Sequence, residues 1–246
     1  MKRITTLTAT LAALTIGVCS AAAQSTYPNR PLTWVVPFAP GGVTDTSARV
    51  VAKVMSEKLG QTVLVENRPG AGGIVGIEYV AGLKPDGYTF VYASSGPMAV
   101  NPSLYKGKLK YDPLKSLTPV HAMAESRMLL LLNPNKPYKT FAELIAYAKK
   151  NPGKVNYGSP GSGTAQHLSA ELLKAEAGID MTHVPYKVGA TQLADLMSGV
   201  LDFAIEYPVV VKPHVEAGKM VAIGMTGSKR FTNYPNIPSI AELGYP

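Results

Sequence analysis

Two rhythms of apolar and polar positions alternate along the chain. LTWVVPF at 32–38 is a nearly continuous apolar run rich in branched and aromatic residues, which predicts a buried strand. It is followed by a stretch in which Ala48, Val51, Val54, Met55 and Leu59 recur at spacings of three and four, one face of a helix that Gly60 stops. TVLVEN at 62–67 reads as a second strand, leads into GAGGIVGIEYVAG at 70–82, and YTFVYAS at 88–94 follows the Pro85–Gly87 turn. A second series opens with RMLLLLN at 127–133. TFAE at 140–143 then sets Thr140 to cap a helix and Glu143 to reach back to it. KVNYGS at 154–159 reads as a strand, followed by a helix from about 164 to 175 with Leu168, Leu172 and Ala175 facing inward. MTHVPY, a helix to Met197 ending near Gly199, LDFAIEY and MVAIGMT continue the alternation.

Strands alternating with helices predict an α/β protein whose mostly parallel sheets are covered by helices. Two series predict two lobes, 27–125 and 126–226, with the link near 118–127 and residues 227–246 returning to the first lobe. No repeat of about 20–50 residues marks a solenoid.

The first 23 residues follow another pattern. Lys2 and Arg3 precede an apolar run from Leu7 to Val18 and the small residues Ala21, Ala22 and Ala23, as in a cleaved secretory signal. The run is shorter than the roughly 20 residues that span a bilayer. Cleavage after Ala23 removes Cys19, the chain's one cysteine, and with it disulfides and thiolate chemistry. Export of the mature chain follows from this reading. The formal net charge is +8, two units fewer without Lys2 and Arg3, but the basic residues are scattered singly and in pairs. That distribution predicts a solvated surface that steers anions mildly, not a nucleic-acid face. His121, His167, His183 and His214 lack metal-ligand spacing, so no metal and no cofactor are expected.

The candidate chemistry lies in two loops. PFAPGGVTD at 37–45 places Gly41 and Gly42 between a strand and a helix, and the first N–H groups of a helix have no internal partner. Bare backbone and the positive end of the helix dipole make an anion seat at the strand's carboxyl end. NYGSPGSGTAQHL at 156–168 repeats the device with Gly158, Ser159, Gly161, Ser162 and Gly163. Two facing seats suit an elongated ligand with carboxylates at its ends. Enzyme motifs fail: Pro160 occupies the first glycine position of a nucleophile elbow, and Val75 stands where GAGGIVG needs its third fingerprint glycine. Asp45, Glu66 and Asp202 have neither a paired histidine nor a metal to make them catalytic. The residues therefore predict a binding protein and no enzyme.

PFAPGGVTDTSAR, ENRPGAGGIVG, KPDGYTF, YGSPGSGTAQHL, THVPYK, SGVLDFAIE and GSKRFTNYPNIPSIAELGYP, in this order, resemble the tripartite tricarboxylate transporter substrate-binding proteins, the Bug family. The resemblance runs from Tyr27 to the last residue. It implies a periplasmic receptor with a two-lobed, type II-like binding-protein fold, monomeric, closing over a carboxylate and delivering it to membrane permease subunits. Rival readings are a carboxylate-sensing partner of a signalling receptor and an exported hydrolase. Carried over by position, the first seat is Phe38, Ala39, Gly41 and Gly42 with Asp45 at the helix start, and the second is Ser162, Gly163 and Thr164 with His167. Ser94 and Ser95 face the same cleft, and Tyr186, Gly189 and Glu206 read the distal part of the ligand. Asp45 as a simple cap and His167 as a packed helix residue stay open as alternatives. Val188 stands where the family usually has glycine, and the family continues for several tens of residues past Pro246, so a truncated first lobe is expected.

Overall fold

A computed structural model describes residues 27–123 and 127–245, so the signal segment and part of the expected link lie outside the described residues. Strands β1 (Leu32–Val36), β2 (Val63–Asn67) and β3 (Thr89–Val91) form a parallel sheet in the order β2-β1-β3. Helix α1 (Val43–Leu59) covers it. Its buried positions are Thr44, Asp45, Ala48 and Ala52, whereas Val54 and Leu59, expected inside, are exposed. The helical period is as expected, but the small residues face Leu32, Trp34 and Val36, which brings the helix close to the sheet. Helix α2 (Ile74–Ala81) and the short α3 (Asn101–Leu104) complete this unit.

The second sheet has the order β6-β5-β7-β4-β8, built from β4 (Leu129–Leu132), β5 (Val155–Ser159), β6 (Met181–Pro185), β7 (Phe203–Glu206) and β8 (Val221–Met225). The β6-β5 and β5-β7 pairs are parallel, but β4 runs antiparallel to both β7 and β8. One strand of an otherwise parallel sheet is thus reversed. LLLL in β4 is buried throughout because the sheet is covered on both faces: Leu130 and Leu132 join one apolar layer, Leu129 and Leu131 the other. Helices α4 (Phe141–Lys150), α5 (Ala165–Ala177), α6 (Gly189–Ser198) and α7 (Pro208–Glu216) supply those layers.

The predicted capping box at α4 is present, with Thr140 and Glu143 bonded reciprocally. Thr140→Ala should cost about 1 kcal/mol of unfolding free energy, read by urea denaturation. In α5 the buried face is Gln166, Ala170, Leu173 and Ala177, so the expected inner positions are corrected: Leu172 is 58% exposed. The stretch 227–245 also differs from expectation. It does not return to the first unit but lies along the open edge of β8, where Ile240 N donates to Met225 O at 2.7 Å. Tyr234 and Ile237 pack on one layer of the second sheet and Ile240, Leu243 and Tyr245 on the other. An unpaired strand edge and two apolar flanks hold it there. Among the described residues, no helix is long and apolar enough to cross a membrane, and no three potential metal ligands cluster.

Candidate functional site

The carboxyl ends of strands from both sheets open onto one cavity of about 730 Å³. On the first unit its wall is the 38–44 loop, the 69–73 loop and Ser94 and Ser95; on the second it is Pro160, Gly161, Ser162, Thr164, Tyr186, Gly189 and Glu206. Phe38, Ala39, Gly41, Gly42, Ser94, Ser95, Ser162, Thr164, Tyr186, Gly189 and Glu206, all expected at the site, line this one cavity. Asp45, Gly163 and His167 are absent from the wall.

Gly42 is the N-cap of α1 and has no side chain to cap with, which leaves the first N–H groups of a 17-residue helix facing the cavity. Gly41 turns the chain at φ +82°, in the left-handed region that glycine enters without a Cβ clash. Asp45 braces this loop from behind. Its Oδ2 accepts from Gly41 N at 2.9 Å, and its Oδ1 accepts from Asn67 Nδ2 at 2.9 Å and Arg49 Nε at 3.0 Å. Asn67 Nδ2 also donates to Phe38 O at 3.0 Å. Burial pushes the Asp45 carboxyl up, but the bonds from Arg49, Gly41 and Asn67 outweigh it and hold the group below the usual carboxylate range. Asp45 is thus an ionised support of the loop and not part of its ligand surface.

The second loop is built differently from its expected twin. Thr164 is the N-cap of α5: its Oγ1 accepts from His167 N and donates to Gly161 O at 2.7 Å. Gly163 N donates to His167 Nδ1 at 3.2 Å, so both donors expected for the ligand are engaged within the chain. His167 lies behind the loop, its ring 4.2 Å from that of His183, which in turn stacks on Tyr157. Burial lowers His167, and burial and then the His167 neighbour push His183 down to about 4. The pair is uncharged at neutral pH, and His167 is a packed loop support. Ser159 Oγ sits 2.6 Å from His183 Nε2, a nucleophile-like pairing, but Ser159 is wholly buried.

Two further loops reach the wall. The 70–73 loop, a failed dinucleotide fingerprint in the sequence, lines the cavity with Gly70, Gly72 and Gly73 at positive φ and leads into α2 without a side-chain cap. Val188, the departure from the family pattern, is the N-cap of α6, also uncapped, and puts Gly189 and Ala190 on the wall. A glycine run ahead of an amphipathic segment was the available signal for the first; the second carried none. Leu193, Met197, Tyr207 and Val210, unflagged in the sequence, give one side of the cavity an apolar lining. Tyr186 does not offer its hydroxyl freely. It donates to Asp195 Oδ2 at 2.6 Å, and burial followed by that carboxylate pushes it up to about 12. Glu206 is buried, with Oε1 accepting from Tyr207 N at 2.8 Å and Gln166 Nε2 at 3.1 Å, and burial pushes it up to about 7.

The units touch through backbone. A methyl group on Gly96 would stand 2.6 Å from Gly163 O, and one on Gly72 would overlap Ser162 O. Gly163 itself faces Asn101, a fully buried side chain with no hydrogen-bond partner.

Residues 47–246 match the family model described as "Tripartite tricarboxylate transporter family receptor". Protein BugT of Bordetella pertussis is 38% identical over 233 residues, 94% of this chain and 71% of that protein. Among solved structures, Rpa4515 of R. palustris with adipate superposes with a TM-score of 0.86 at 39% identity, covering 89% of this chain and 73% of that one. MatC (Rpa3494) from Rhodopseudomonas palustris with bound malate gives 0.83 at 34% identity, covering 89% and 74%. With two helix-flanked sheets meeting at a glycine-walled cavity and these relatives aligned along nearly its whole length, the chain belongs to the tripartite tricarboxylate transporter receptor family, with the two-lobed fold of its periplasmic binding proteins.

Proposed function

We propose that this protein captures a small carboxylate between its two lobes, in the periplasm, and hands it unchanged to the permease subunits of a tripartite tricarboxylate transporter. The observation that carries the reading is the convergence of the bare helix starts at Gly42 and Val188, with the glycine-rich 70–73 loop between a strand and a helix, on one cavity. Peptide N–H groups donate to an anion's oxygens directly or through water, and the helix dipoles favour its charge, with no proton to move. The site residues inferred for contact are Phe38, Ala39, Gly41, Gly42, Ser94, Ser95, Ser162, Thr164, Gly189 and Glu206, joined by Gly70–Gly73. Relatives with adipate and malate support a carboxylate as the class of ligand. The N-terminal charge and apolar pattern supports export.

Binding without turnover follows from what is missing at the wall. Asp45 is spent on the loop, and Ser159 and His183 are shut behind it. Adipate and malate, screened by thermal melting, are expected to stabilise the protein, by about 2.7 kcal/mol for a ligand at 100 times its dissociation constant, and to be recovered intact. Their diamides should not stabilise it. Equal stabilisation by acid and amide would remove the anion seat from the account.

A further inference from the structure

We propose that Glu206 sets the ligand class of the cavity: an acid whose single carboxylate meets the glycine loops and whose other end bears an ammonium or hydroxyl donor to Glu206, in preference to a dicarboxylate. The assignment rests on the carboxylate-receptor reading and narrows it.

Glu206 ends β7 on the second unit, on the opposite unit from the Gly42 and Gly73 helix starts. Its residue is 4% exposed and lies on the cavity wall. Both hydrogen bonds that it accepts fall on Oε1; among the described residues none falls on Oε2. No lysine or arginine pairs with it among the described residues. Oε2 is not buried without a partner as the Asn101 and Gln192 side-chain atoms are, so it opens to the cavity, where a donor brought by the ligand meets it in surroundings that Leu193, Met197 and Val210 make apolar. A second ligand carboxylate would instead face like charge. The wall has no arginine to receive that carboxylate; its basic side chains among the described residues are Lys187, which is exposed, and His214.

The same geometry makes the preference depend on pH. Glu206 keeps a proton up to about 7 and can then donate to an acidic ligand end; above that it only accepts. The other titratable groups around it are Tyr207 beside it, Tyr92 facing Tyr207, and Tyr105, Tyr186, Lys187 and His214 on the wall. Burial and, for Tyr207, the Glu206 charge keep Tyr186 and Tyr207 protonated in this range, and His214 on the wall supplies the control substitution.

The test is calorimetric titration with adipate and 6-aminohexanoate, acids of equal chain length, into wild type, Glu206→Gln and His214→Gln. At pH 8 the wild type should bind 6-aminohexanoate at least tenfold more tightly than adipate, and at pH 5.5 the ratio should fall several-fold. Glu206→Gln should erase the preference and its pH dependence; His214→Gln should keep both. Because the raised Glu206 contributes stability that is full below about 4.5 and lost as pH rises through about 7, ligand-free Glu206→Gln should also melt higher than wild type at pH 8, which verifies its folding. Adipate binding as tightly as 6-aminohexanoate at pH 8, or an unchanged ratio in Glu206→Gln, overturns the assignment alone. Binding of neither acid nor of malate overturns the receptor reading and the assignment together.

Discussion

Replacing Gly163 by alanine is expected to weaken carboxylate binding by about a hundredfold, although Gly163 is not on the cavity wall. Its φ of +81° costs an alanine about 1–2 kcal/mol. The added methyl would overlap Asn101 Oδ1 and stand 3.4 Å from Leu104 Cδ2, both on the other unit. Asn101 is fully buried and cannot swing into solvent, so the seam must open to relieve the overlap, at about 1–3 kcal/mol more. Only part of that total acts on closure, and about 2.8 kcal/mol corresponds to a hundredfold in affinity. Gly41→Ala is the control. It has a similar φ of +82° but nothing within 4 Å of the added methyl, so strain acts without a clash and the loss should stay near tenfold. Titration calorimetry gives both losses, and small-angle scattering should show the Gly163 variant alone more extended with ligand present. Equal, small losses in both variants would refute the seam as a condition of tight binding.

Removing the Asp45 carboxylate should produce the largest loss of stability. Asp45→Ala leaves Gly41 N without its acceptor and Asn67 Nδ2 with Phe38 O alone, and frees Arg49, whose side chain is 51% exposed and recovers water. Loss of these partly buried hydrogen bonds to a charged acceptor costs about 2–4 kcal/mol in total. Asp45→Asn should lie between, since one oxygen remains to accept. The folded carboxylate is held below its ordinary value, so its contribution is present above about pH 4 and fades as pH falls through the lower folded value. Urea denaturation at pH 7 and pH 3 should therefore show a difference between wild type and Asp45→Ala that shrinks at the lower pH. A difference independent of pH would mean that the side chain contributes by packing and not by charge.

Much of the site was readable from the chain because strand-to-helix loops are local. PFAPGG follows an apolar run and precedes a periodic one, which places its peptide groups at a helix start with no tertiary information. Thr140 and Glu143 show the same: a capping box spans four residues and forms as predicted. What could not be read depended on contacts distant in sequence. Thr164 and Gly163 resemble the first seat until His167 folds back to engage them, and whether it points to the cleft or to His183 is decided by β6. The reversal of β4 leaves no trace in LLLL, since a strand buried on both faces is apolar in either direction. Nor does the 227–245 stretch reveal its destination, which depends on the unpaired edge of β8. In α1 the expected Ala48, Val51 and Met55 pack on the sheet, but Val54 and Leu59 do not, because the buried face is carried by Thr44, Asp45, Ala48 and Ala52, whose small or polar side chains leave little apolar signal.

The receptor account stands most directly on where a bound acid sits. A crystal structure of the protein with 6-aminohexanoate or adipate is predicted to show one carboxylate within hydrogen-bond distance of peptide N–H groups at the Gly42 helix start, with Glu206 at the ligand's other end. A carboxylate bound away from that helix start, or paired to a basic side chain outside this cavity, would contradict it.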